Sequence, residues 1–159
     1  MPKITVRFQR GKDKKDVLAV VREDGTQSWQ HQQTGIATHD LTHYAVETTL
    51  ELKNGFYGLL AQGWDIIRLT DRDVRSILPP EGLWTELVVG LIQTERLSPE
   101  PLSAADFNDM LDRERQNFRL GIERQVSDDE LNQIRDTFNQ LYFRWRNLKP
   151  GEQMSLEFG

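Results

Sequence analysis

The sequence predicts an α+β protein in which about five helices pack on one face of a small antiparallel sheet. Three observations point there: strict apolar alternation near both ends of the chain, apolar spacings of three and four residues between them, and turn or capping residues at the joins. Near the start, Ile4, Val6 and Phe8 alternate between Lys3 and Arg10, as in a strand with one buried face. A second run, Val17 to Arg22, carries Leu18, Val20 and Val21 and leads into Asp24-Gly25, a strong hairpin signal. Gln27 to His31, around Trp29, completes a three-stranded meander. Met154, Leu156 and Phe158 alternate again after Pro150-Gly151, so the C-terminal segment is expected to return to the same sheet.

Helix starts are marked by residues whose side chains accept from free amides. Thr70 precedes Asp73, Ser103 precedes Asp106 and Ser127 precedes Glu130, each at capping-box spacing. The segment from Ser127 to Leu148 repeats Leu131, Ile134, Phe138, Leu141, Trp145 and Leu148 along one stripe and must bury it. Its partner is predicted from Ser103 to Glu123, with Phe107, Leu111, Phe118 and Ile122 on the stripe and Glu114 falling within it. A third apolar helix runs from Leu83 to Thr94, between Pro79-Pro80 and Ser98-Pro99-Glu100-Pro101. His39 to Lys53 reads as a helix with Thr38 as its cap and Asn54-Gly55 as its stop, followed by a short helix from Phe56 to Gln62. No period recurs along the chain, which argues against a repeat protein.

At 159 residues, 37% hydrophobic and 28% charged, the chain has the size and balance of one domain, 1–159, stable without a disulfide or structural metal. The net charge of -5 argues against nucleic acid as a partner, because backbone binding depends on clustered Lys and Arg. The one basic run, Arg10, Lys12, Lys14 and Lys15, is broken by Asp13 and Asp16 and reads as a solvated hairpin loop. Cysteine is absent, which excludes thiolate ligands and thiol nucleophiles, so a metal must take nitrogen and oxygen donors. Met1-Pro2-Lys3-Ile4-Thr5 enters the alternating pattern with no apolar leader, and no stretch is long enough for a membrane span. The expected location is the cytoplasm. Gly55, Gly58 and Gly63 lack the Gly-Lys-Ser/Thr that would make a phosphate cradle, and no Gly-x-Ser-x-Gly marks a serine nucleophile.

One segment carries chemistry. In His39-Asp40-Leu41-Thr42-His43-Tyr44-Ala45-Val46-Glu47 the histidines stand four residues apart, on one helical face one turn apart. Their ring nitrogens can then meet a common divalent ion at ~2.0–2.1 Å. A helical wheel puts Leu41, Tyr44, Ala45 and Leu52 on one side and the histidines with Val46 and Leu50 on the other, the pattern of a sandwiched helix. Asp40, Glu47 and Glu51 run beside the histidines, so Asp40 and Glu47 are the candidates to orient His43 or to act as general bases. Glu114, a carboxylate inside an apolar stripe, is the leading oxygen ligand from another helix, with Glu86 as a second candidate. Glu114 could equally pair with a buried arginine such as Arg144.

This helix is similar to the His-Glu-x-x-His helix of the zincin metallopeptidases. The resemblance covers that one helix and implies that His39 and His43 are metal ligands, with Asp40 where the family keeps its general-base Glu. Asp40 is one methylene shorter, which sets its carboxylate back from a metal-bound water and argues against peptidase activity. No Gly-x-x-His follows to supply a third histidine. The wider pattern, a β meander followed by His-Asp-Leu-Thr-His-Tyr and Gly-Phe-Tyr-Gly, resembles small uncharacterised bacterial proteins, and that resemblance implies no activity.

The expectation is a His/carboxylate site for a divalent metal, zinc or manganese, in a hydrolase, with His39, His43 and Glu114 as ligands and Asp40 or Glu47 as base. Two alternatives stand beside it. One is a non-enzymatic interaction module or homodimer whose histidine pair is structural. The other is a small-ligand binder built on Tyr44, Phe56, Tyr57, Trp64 and Trp84, which otherwise form core.

Overall fold

A computed structural model describes residues 2–13, 15–33 and 35–159; Met1 and the Lys14 of the basic run lie outside the described residues. Four strands, β1 (Ile4–Gln9), β2 (Asp16–Arg22), β3 (Gln27–Gln32) and β4 (Gln153–Phe158), form one antiparallel sheet in the order β3-β2-β1-β4. The N-terminal meander and the returning C-terminal strand are therefore as the alternation predicts. Register pairs Val6 with Val20 and with Leu156, and Phe8 with Leu18 and with Met154. Side chains alternate between faces along a strand, so this pairing gathers Ile4, Val6, Phe8, Leu18, Val20, Met154, Leu156 and Phe158 on one buried face. The opposite face exposes Arg7, Glu157 and Trp29.

The buried face is covered by helices α1 (Ile36–Thr49), α2 (Phe56–Ala61), α3 (Ile66–Leu69), α4 (Pro80–Arg96), α5 (Ala104–Asn117) and α6 (Asp128–Arg146). α1 lies at the centre, against α2, α4 and α6. It is buried on two sides, with Leu41 and Ala45 towards one and His43 and Val46 towards the other, as its wheel predicts. Ser103 and Ser127 cap their helices as expected, and Ser127 with Glu130 forms a complete capping box. No helix among the described residues is long and apolar enough to cross a membrane.

Several helix boundaries differ from the sequence reading, α4 among them, which runs from Pro80 to Arg96 rather than from Leu83 to Thr94. α1 begins at Ile36, after Gly35 in the left-handed region, and the Thr38 hydroxyl donates to the Gly35 carbonyl instead of capping. It ends before Asn54-Gly55, because Glu51 adopts φ 54° and Leu52 N–H returns to the Glu47 carbonyl at 3.0 Å, a Schellman closure. α5 stops at Asn117 rather than Glu123 in the same way, with Arg119 at φ 53° and Leu120 N–H on the Arg115 carbonyl. Thr70 starts no helix. Its hydroxyl donates to the Ile66 carbonyl at the end of α3, the Asp73 amide is taken by Asp71, and only a 3-10 turn, Val74–Ser76, follows.

Candidate metal centre

The centre is built where α1 crosses α4. α1 contributes His39 and His43, α4 contributes Glu86, and one potential ligand atom from each lies within 4.8 Å of the others. The rings of His39 and His43 sit 4.8 Å apart, centre to centre, and are not splayed. His43 Nε2 is 3.2 Å from a Glu86 carboxylate oxygen, and its Nδ1 is 3.0 Å from Glu47 Oε2. His39 Nδ1 lies 3.2 Å from Gln93 Oε1, seven residues after Glu86 on the same face of α4. Each imidazole thus has one nitrogen held from behind, which fixes its orientation, and the second nitrogen of His43 faces Glu86.

Glu47 does more than orient His43. Its carboxylate accepts from the backbone N–H of Phe56 and Tyr57, both at 2.9 Å, and of Gly58 at 3.4 Å, which are the first three amides of α2. A helix N-terminus attracts an anion because these amides have no partner within the helix. Gly55 makes the approach feasible, since a Cβ there would stand 2.5 Å from the Glu47 carboxyl carbon. The glycines after α1 therefore do cradle an anion, but it is the protein's own carboxylate.

Charge in the centre follows from these contacts. Burial alone would draw the His43 imidazole down, yet Glu86 and Glu47 on either side outweigh it and hold the imidazolium up to about 10. Burial pushes the Glu47 carboxyl up, against the pull of His43 and the α2 amides. Burial would also raise Glu86, but the His43 charge beside it holds this carboxyl below the ordinary range. His39 is kept below its usual value by burial and by the neighbouring His43 charge, so it stands neutral and ready to ligate. The His43 imidazolium therefore faces the Glu86 carboxylate across 3.2 Å.

Asp40 is buried on the same turn, and Gln32 of β3 donates its amide to Oδ2. Burial pushes its carboxyl up to about 7, against the opposing pull of His43 and Gln32. Asp40, His39, His43 and Glu86 line one cavity of about 300 Å³, closed on other sides by Phe56 and the segment from Leu69 to Arg75. Glu47 does not line it and stands behind His43.

Of the residues expected from the sequence, His39, His43 and Asp40 meet in this cavity. Glu114 does not. It is half-buried on α5, joins no cluster of three potential ligands and makes no ion pair with Arg144 among the described residues. The carboxylate that does join the histidines is Glu86, whose signal is a lone carboxylate between Trp84 and the buried run Leu87, Val88, Val89, Leu91 and Ile92. Gln32 and Gln93 are additions that spacing does not reveal. Of the five aromatics, Phe56 alone lines the cavity, while Tyr57 and Trp84 are core. Comparison of the chain with family models, curated proteins and solved structures finds no match, so the case for function rests on this centre.

Proposed function

We propose that the chain binds a divalent transition ion through His39, His43 and Glu86 and supports a hydrolytic reaction in the adjoining cavity, with Asp40 holding or passing the proton. The observation that carries this reading is the approach of three potential ligand atoms within 4.8 Å of one another at the wall of one cavity. Two imidazoles and one carboxylate suit zinc or manganese and leave coordination positions for water and substrate. A carboxyl held near 7 works at the midpoint between acid and base. Asp40 thereby takes the role that the zincin helix gives its Glu.

Metal analysis of protein purified without an affinity tag tests this. One equivalent of metal in the wild type, lost in the His39→Ala, His43→Ala double variant, is the expected result. Metal-free wild type that gains no thermal stability from added zinc or manganese overturns it, since a ligand at 100 times its Kd adds about 2.7 kcal/mol. The competing reading is structural. Both nitrogens of His43 already have carboxylate partners, so the triad could serve only to tie α1, α2 and α4 together. That reading predicts indifference to chelators.

A further inference from the structure

We infer that the cavity beside the centre takes a small molecule bearing an oxyanion, a carboxylate or phosphate, gripped by Arg72 and Arg75. This rests on the reading of the cavity as the functional site and adds the chemistry of what enters it. The segment between α3 and α4 brings both arginines to the cavity that His39, His43 and Glu86 also line. Both are exposed, and among the described residues neither guanidinium hydrogen-bonds to a carboxylate or carbonyl, while the Arg75 charge reaches Glu86 through space. Arg75 is steadied by an apolar contact instead, its guanidinium carbon 5.3 Å from the centre of the Phe118 ring just past α5.

Two guanidiniums three residues apart at one cavity each offer a planar fork of donors suited to an oxyanion. The nearby carboxylates take their hydrogen bonds from other groups, and only Glu86 feels the Arg75 charge. Asp71 Oδ1 accepts from the Asp73 amide, Glu86 faces His43, and Asp40 is held by Gln32. Ile36, Phe56, Leu69 and Val74 add an apolar lining to the same cavity. At about 300 Å³ the space is at the small end of ligand sites. The ligand is therefore a compact molecule with a short apolar body, its anionic end on the arginines and its reactive end towards His39 and Glu86.

Thermal unfolding and calorimetry with two probes decide it: inorganic phosphate added to metal-free protein and acetate added to zinc-loaded protein, each against chloride at equal ionic strength. Saturable stabilisation by at least one probe, with affinity about tenfold weaker in the exposed-site variant Arg72→Gln, Arg75→Gln, is the expected result. Wild type that responds to neither probe beyond chloride, or a double variant that responds fully, overturns the inference. Zinc stoichiometry is measured separately in anion-free buffer, so loss of metal binding counts against the metal centre and loss of the anion response against the arginines.

Discussion

α4 carries a buried carboxylate, Glu95, and a partly buried one, Glu86, nine residues apart, and their surroundings differ in a way that separates chemistry from scaffolding. Glu95 accepts from Arg135 of α6 and from the Leu102 amide at 2.8 Å, while Arg135 also donates to the Leu102 carbonyl. The network ties the connector between α4 and α5 onto α6. Glu86 instead faces an imidazolium at the wall of a cavity. Both carboxylates face a cationic side chain. What distinguishes Glu86 is that a proton is the only thing between it and His43, and a metal ion can replace a proton.

Arg135→Ala should have the largest effect and only on stability. It leaves Glu95 and the Leu102 carbonyl without their partner at a cost of roughly 3 kcal/mol. Urea unfolding would show it, with metal content unchanged; a loss of metal would erase the contrast between the two sites. Glu47→Gln should act on both properties. It weakens the cap on α2, with about 1–3 kcal/mol lost. It also loosens His43, with metal affinity reduced roughly 10- to 100-fold, read by calorimetry.

The smallest effect is a slope. The His43 imidazolium persists up to about 10, above its ordinary 6.5, so an incoming metal must displace its proton. Affinity should therefore rise with pH by about tenfold per unit around neutrality, with about one proton released per ion. In the metal-free protein the sign reverses: the raised value contributes stability that is complete below 6.5 and lost as pH climbs through about 10. Affinity independent of pH would mean that His43 is not a ligand.

The sheet was legible because its alternation is local: Ile4, Val6 and Phe8 declare their face without reference to any other segment. Ser103 and Ser127 were legible for the same reason, since a cap and its amide are three residues apart. The helix ends were not. Glu51 and Arg119 close α1 and α5 in a conformation usually left to glycine, and only the surrounding packing selects it. Thr70 misled because its hydroxyl had a choice between donating backwards and accepting forwards.

The chain's order of residues determined by itself that His39 and His43 share one face and that the helix bearing them is apolar on two sides, because helical periodicity fixes both. Only the tertiary structure decided that Glu86 rather than Glu114 meets them and that Glu47 caps the next helix. The same holds for Arg72 and Arg75 reaching the cavity. A lone carboxylate in an apolar stripe announces that it needs a partner. Which partner it finds depends on how two helices cross, and that crossing is set by the packing of the whole core.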